Sequence, residues 1–181
     1  MAGGAAVRAG NDGTDRTKIL LRAVWVGAVL FLLCVMQTTV FGRWKLFGAV
    51  PDLMLAAVVL LGYCRGREEG AIAGIAAGVF VASLGSVGVT IAPVFYMVIG
   101  YVCGYFARAV YPKGFGAYLF FLGVSLPFGS IRTVIQASLT HANPRPAMVL
   151  LYAVLPELFG TFLCGAALFF PLRALIGRAK R

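Results

Sequence analysis

The chain has 181 residues, of which 61% are apolar and 12% are charged, and it carries a formal net charge of +10. Its mean hydropathy is +0.92. Soluble domains have about 45–50% apolar and about 25% charged residues, so these values exclude an ordinary water-soluble globule. Six membrane spans of about 20 residues would use about 120 residues, which leaves no room for a second domain.

The first 18 residues are rich in Gly, Ala and charged residues. They hold too few bulky apolar groups to offset the entropy of ordering, so they are predicted to form a disordered cytoplasmic tail. Six apolar blocks follow, and each is predicted to be a helix because backbone polar groups in lipid need partners within their own segment. The blocks are 19–41, 46–64, 70–84 with a broken extension to 92, 93–111, 115–139 and 148–170. The sequence therefore predicts an all-α membrane bundle over 19–173, followed by a basic cytoplasmic tail over 174–181.

The lysines and arginines lie mostly at the ends of the apolar blocks, which is the pattern that orients membrane proteins. With a cytoplasmic N-terminus, twelve of the sixteen lie on the cytoplasmic side and four on the opposite side. The cytoplasmic set is Arg8, Arg16, Lys18, Arg22, Arg65, Arg67, Arg108, Lys113, Arg173, Arg178, Lys180 and Arg181; the opposite set is Arg43, Lys45, Arg132 and Arg145. Both termini are therefore predicted to be cytoplasmic. The sequence has no basic stripe with interleaved aromatics, so nucleic acid is not an expected partner.

Residues that could carry chemistry are sparse. The four cysteines lie in four different apolar blocks without CxxC spacing, which favours buried apolar residues over a metal site or a disulfide framework. His141, the one histidine, lies in a polar loop and has no residue near it in sequence that would complete a triad or a metal cluster. The chain also lacks the common phosphate-binding and hydrolase motifs. We therefore expect neither an enzyme nor a cofactor.

The third block is short for a span. Gly70 to Leu84 covers about 22 Å at 1.5 Å per residue, compared with roughly 30 Å of hydrocarbon. An uncharged stretch over 83–88, with two glycines and two serines, follows it. This stretch is predicted to be a tight outer loop, and the alternative is a re-entrant break that binds a ligand.

Glycines recur at every fourth position in the third and fourth blocks. They are Gly70, Gly74 and Gly78 in the third block, and Gly100 and Gly104 in the fourth. Such flat faces allow two helix backbones to approach closely. We expect the two helices to pack on each other, and the alternative is a groove for the transmembrane helix of another protein.

Pro51 and Asp52 mark the start of the second span. Proline fits the first helical turn, and the helix dipole favours a carboxylate there. Asp52 is therefore predicted to be a helix cap, with Arg43 or Lys45 near enough in sequence to pair with it. The alternative is a carboxylate that binds a proton or a substrate.

Two charged residues lie inside the last two apolar blocks. Glu157 is nine residues into the sixth block, about 13 Å deep, and Arg132 is seven residues before the end of the fifth, about 10 Å deep. An unpaired charge at such a depth costs several kcal/mol. We predict that the two side chains form a buried pair, and the alternative is a proton or substrate relay.

Three stretches, taken in order, resemble the MreD family of rod shape-determining proteins. They are 37–41 (QTTVF), 47–53 (FGAVPDL) and 65–71 (RGREEGA), and the resemblance is clearest over residues 34–110. It implies a bacterial inner-membrane protein without catalytic residues that binds MreC. With MreB, RodA and a penicillin-binding transpeptidase, such a protein supports peptidoglycan synthesis. Family members often carry an acidic residue near the end of the third span, where this chain has Ala82 and Ser83.

Two functions remain open on these grounds. The first is a non-enzymatic scaffold that binds the single transmembrane helix of an MreC-like protein through close helix packing in lipid. The second is the substrate-binding membrane subunit of an energy-coupling-factor importer, in which the break over 83–90 and Arg132 would line a solute pocket. A closed polar cavity would favour the importer, and a filled core with an exposed groove of small residues would favour the scaffold. The sequence does not indicate whether the chain self-associates.

Overall fold

In the computed structural model, all the secondary structure of the described residues is helical, as the sequence predicts. The structure describes residues 3–41, 43, 50–84, 91–108, 114–140 and 154–178. Their helices are α1 Gly3–Met36, α2 Leu53–Arg65, α3 Arg67–Leu84, α4 Ala92–Phe106, α5 Phe115–Thr140 and α6 Leu155–Arg178. A π-helical segment, Gln37–Phe41, continues α1.

Helix α2 forms the centre of the bundle. Its residues from Leu53 to Tyr63 are all buried, and it contacts each of the other five helices. A helix that is apolar on every side needs other helices around it, which explains this position. With 13 residues, α2 is about 20 Å long, shorter than the block predicted over 46–64.

Helices α2 and α3 are joined by a single residue, Gly66. Its φ angle of 102° lies in a region that residues with side chains rarely adopt. The turn lets α3 begin at Arg67, three residues before the predicted block. Glu68 and Glu69 consequently lie in the first turn of α3, where the helix dipole stabilises carboxylates.

Much of the outer surface of the bundle is apolar. Large side chains on different helices are two-thirds exposed, including Leu21 at 68%, Ile72 at 66% and Phe170 at 68%. The segments Ala23–Val40 and Leu155–Ala174 are long and apolar enough to cross a membrane. Exposed apolar surface of this extent favours association with a membrane.

The disorder predicted for the N-terminal tail needs correction. Helix α1 already begins at Gly3, although residues 1–18 are predicted to be disordered. Once a helix exists, each further residue adds one hydrogen bond, and the alanines of this segment favour extension. Helix α6 continues to Arg178, and the cytoplasmic location of the basic segment over 174–181 stays a prediction.

The turn between α3 and α4 is described only at its two ends. Leu84 ends α3, and α4 begins at Ala92 with Pro93 in its first turn, where proline is favoured. Residues 85–90 lie outside the described residues, so the choice between a tight loop and a re-entrant break stays open.

Candidate functional site

A buried polar cluster lies at the start of α2, with Asp52 at its centre. Asp52 is 3% exposed, and its Oδ1 atom accepts a hydrogen bond from the backbone N–H of Leu55 at 3.0 Å. Its Oδ2 atom accepts a hydrogen bond from the hydroxyl of Tyr96 at 2.5 Å. The backbone N–H of Asp52 donates to the hydroxyl of Thr161 at 2.8 Å. Asp52 therefore caps α2, as its position predicts, and also links α2 to α4 and α6.

The end of α1 joins the same cluster. The Oε1 atom of Gln37 accepts a hydrogen bond from the backbone N–H of Met54 at 3.2 Å. That N–H belongs to the first turn of α2, whose donors have no partner within the helix. The cluster thus links four helices through hydrogen bonds between polar groups that would be costly to bury alone.

The five predicted glycines lie together between α3 and α4. A β-carbon at Gly70 would stand 2.5 Å from the carbonyl oxygen of Gly100, and one at Gly74 would overlap the carbonyl of Tyr96. At Gly78 it would overlap the backbone of Pro93. The two helices therefore touch backbone to backbone, which is the internal packing favoured by the glycine spacing.

Helix α2 takes part in the same contact. A β-carbon at Gly62 would stand 2.6 Å from the carbonyl oxygen of Gly100, and one at Gly104 would stand 2.5 Å from the backbone nitrogen of Arg67. Three helices thus meet where no side chain separates them. The available face of each glycine is used inside the protein and is not open to a partner helix.

Helix α5 is attached to the core through polar contacts. The hydroxyl of Tyr118 donates to the carbonyl of Gly165 in α6 at 3.1 Å. On the α4 side, the Sγ atom of Cys103 lies 3.2 Å from the Oγ atom of Ser125. These contacts hold α5 against α6 and against the C-terminal half of α4.

A groove of about 460 Å³ lies between α4 and α5. Its walls are formed by valine, isoleucine and phenylalanine side chains, among them Val102 and Phe106 of α4 and Phe120 and Val124 of α5. Its surface is almost entirely apolar, and Cys103 and Ser125 contact each other at its base. Such a groove can bind an apolar side chain or a hydrocarbon chain by packing.

The predicted pair of Arg132 and Glu157 is described only in part. Glu157 lies in the first turn of α6, where the helix dipole favours a carboxylate. Residues 148–153, from which the nine-residue depth was counted, lie outside the described part, so that depth stays a prediction. The side chain of Arg132 and the whole of Lys45 lie outside the described part, and the pairings predicted for them stay predictions.

Among the described residues, no group of three or more His, Cys, Asp or Glu side chains could hold a metal ion. His141 lies outside these residues. The polar groups described above serve to cap helices and join them.

Several residues that position the site are not among those predicted from the sequence. Tyr96 and Thr161 are isolated polar side chains inside apolar blocks, and a buried polar group in such a block needs a partner. That rule marks them as contact-forming residues but does not identify Asp52 as the partner. Gly62 did carry a signal, because Gly62 and Gly66 continue the four-residue spacing of Gly70, Gly74 and Gly78 towards the N-terminus.

These features define a class: a helical bundle with a filled core, an apolar outer surface and polar groups that serve internal contacts. Compared with the models of known protein families, with curated proteins and with solved structures, the chain has no significant match.

Proposed function

We propose that the chain is a non-enzymatic scaffold in the bacterial cytoplasmic membrane. It crosses the bilayer six times with both termini in the cytoplasm and binds the transmembrane helix of an MreC-like protein. Through that partner it supports peptidoglycan synthesis and rod shape, together with MreB, RodA and a penicillin-binding transpeptidase. The observation that carries the proposal is the open apolar groove between α4 and α5 beside a filled core.

The apolar outer surface supports the membrane location. Exposed Leu21, Ile72 and Phe170 would each face lipid, while the charged residues Arg65, Arg67 and Glu69 gather at the turn between α2 and α3. The short α2 fits this arrangement because it is surrounded by five other helices. Its ends can therefore find polar partners within the protein.

The groove supports a partner helix. In lipid, helices associate by van der Waals packing and hydrogen bonding, since the surrounding hydrocarbon offers no hydrophobic drive. The groove extends over residues 98–106 of α4, which is about 12 Å or two helical turns. Two or three large side chains from one face of a partner helix would fill it.

The resemblance to the MreD family supports the choice of partner. Two of the stretches that resemble the family meet in the polar cluster, where Gln37 binds the backbone of Met54 next to Asp52. The importer alternative requires a polar pocket near residues 83–90 and Arg132, and residues 85–90 and the side chain of Arg132 lie outside the described part. We favour the scaffold because the groove that is described, between α4 and α5, is apolar.

Site-specific cross-linking tests the partner. A photoreactive residue at Val124, which is 49% exposed in the groove, should cross-link to a single-span MreC-like protein in intact cells. Val79 in α3 is 46% exposed and does not line that groove, so it provides a matched control. Equal cross-linking from the two positions, or a cross-link to an importer ATPase module, would contradict the proposal.

Reporter fusions test the membrane topology. A reporter that is active only in the cytoplasm should be active when it is fused to either terminus, and inactive when inserted near Arg145. Activity at only one terminus would exclude an even number of spans, whatever partner the protein binds.

A further inference from the structure

Helices α2 and α4 touch at one level of the bundle and are separated by a side chain at another. Near the C-terminal end of α2 the two backbones meet, since a β-carbon at Gly62 would stand 2.6 Å from the carbonyl oxygen of Gly100. Near the start of α2 the fully buried side chain of Tyr96 reaches from α4 to α2. Its hydroxyl donates to the Oδ2 atom of Asp52 at 2.5 Å. The tyrosine side chain therefore spans the distance between the two helices at this level.

The Asp52 end of this contact is held in place from two sides. The Oδ1 atom of Asp52 accepts from the backbone N–H of Leu55 at 3.0 Å, and its own backbone N–H donates to the hydroxyl of Thr161 in α6 at 2.8 Å. Helix α6 in turn is bonded to α5, where the hydroxyl of Tyr118 donates to the carbonyl of Gly165 at 3.1 Å. Asp52 therefore relates the position of α4 to that of α6 and, through α6, to that of α5.

The groove between α4 and α5 lies on the opposite face of α4. Val98 lines it two residues after Tyr96, which is about 200° around the helix. At the base of the groove the two helices meet, with the Sγ atom of Cys103 3.2 Å from the Oγ atom of Ser125. A change in the tilt of α4 would therefore alter the width of the groove most at the end nearest Tyr96, away from this contact.

We propose that the hydrogen bond between Tyr96 and Asp52 sets the tilt of α4 and thereby holds the groove at the width that fits a partner helix. Both are then positioning residues, which act through α4 and do not touch the partner. Without the bond, only a fraction of the molecules has the groove at its native width, and the apparent affinity falls by that fraction. The loss of one hydrogen bond shifts such an equilibrium by about two- to tenfold. The effect on the partner rests on the proposed function, and the effect on the groove does not.

Distances between pairs of spin labels test the effect on the groove in the full chain in detergent. Labels at Val94 in α4 and Ile131 in α5 report the tilt of α4, because these positions are 58% and 49% exposed and neither lines the groove. Val94 is about 9 Å along α4 from Gly100, so a tilt of about 12° would shift the distance by about 2 Å. We expect such a shift in Tyr96→Phe. Asp52→Asn retains an acceptor for the hydroxyl, so its shift should be smaller.

A second pair of labels distinguishes a tilt of α4 from general loosening of the bundle. Val79 in α3 and Val94 in α4 are both exposed. The two helices touch backbone to backbone through Gly74 and Gly78, so this distance should stay the same in Tyr96→Phe. If the distance from Val94 to Ile131 is unchanged in that variant, or if both distances change equally, the proposal is overturned.

Cross-linking from Val124 to the MreC-like protein is the second readout. It should fall by about two- to tenfold in Tyr96→Phe and by less in Asp52→Asn. Undiminished cross-linking in a variant whose groove distance has shifted would overturn the positioning role. If the native chain gives no such cross-link, the proposed function fails, and the label distances still decide whether the bond sets the tilt of α4.

Discussion

The contact between α3 and α4 leads to a quantitative prediction for Gly74. Alanine is the smallest side chain that can replace glycine, yet its β-carbon at this position would overlap the carbonyl group of Tyr96. That carbonyl belongs to a helix backbone and cannot rotate away as a side chain would. The two helices must therefore separate or shift, and the neighbouring contact between Gly70 and Gly100 is lost with them.

The size of the effect follows from two opposing terms. Alanine favours a helix by about 1 kcal/mol relative to glycine. Overpacking a close contact costs about 1–3 kcal/mol, and a backbone neighbour places Gly74→Ala at the upper end of that range. We expect a net loss of about 2 kcal/mol. Gly123→Ala, which has no atom within 4 Å of the new carbon, should instead gain up to about 1 kcal/mol.

Thermal unfolding of both variants in the same detergent measures the difference. A gap of about 3 kcal/mol corresponds to about 6–12 °C in Tm for a chain of this size. The variant Gly74→Ala should melt below the native protein, and Gly123→Ala should melt at or above it. If the two variants melt at the same temperature, the backbone contact between α3 and α4 is not formed as described.

Four further substitutions, at three positions, test other parts of the bundle by the same unfolding measurement. Asp52→Ala removes a helix cap and the acceptor for Tyr96, so it should lower the free energy of unfolding by about 2–4 kcal/mol. Asp52→Asn retains an acceptor and should cost less. Equal losses in the two variants would argue against the hydrogen bonds. Gly66→Ala should cost about 1–3 kcal/mol because φ is 102° there, and a neutral result would mean that the turn has a different backbone conformation. Tyr118→Phe should cost about 1 kcal/mol through the loss of its bond to Gly165, and no change in stability would show that this bond contributes nothing.

Helix class and several boundaries could be predicted because they depend on local features. The proline and carboxylate at 51–52 determine where α2 begins, and Pro93 marks the first turn of α4. The fifth block, predicted over 115–139, corresponds to α5 within one residue. Local composition does not predict the helix over the first 18 residues, because the helix of the adjoining apolar block extends into this polar segment.

The partners within the site depend on packing between distant parts of the chain. The glycine spacing predicted a close contact between α3 and α4. The same spacing continues through Gly66 to Gly62, but it does not indicate that Gly62 of α2 meets Gly100 of α4. Asp52 was predicted to be a cap because that role is local to one helix turn. Its bonds to Tyr96 and Thr161 span 44 and 109 residues, and no local pattern indicates which polar groups will meet over such separations.

Helix α4 connects the groove to the polar cluster through its two opposite faces. Tyr96 and Gly100 lie on one stripe, at four-residue spacing, and face α2 and α3. Val98 and Val102 lie two residues further along, which is about 200° around the helix, and line the groove. The hydrogen bond of Tyr96 and the backbone contact at Gly100 fix the position of α4 against the core, and the valines of the second stripe remain available outside it. This division between two faces explains how one helix can contribute to a tightly packed bundle and still offer a surface for a partner helix.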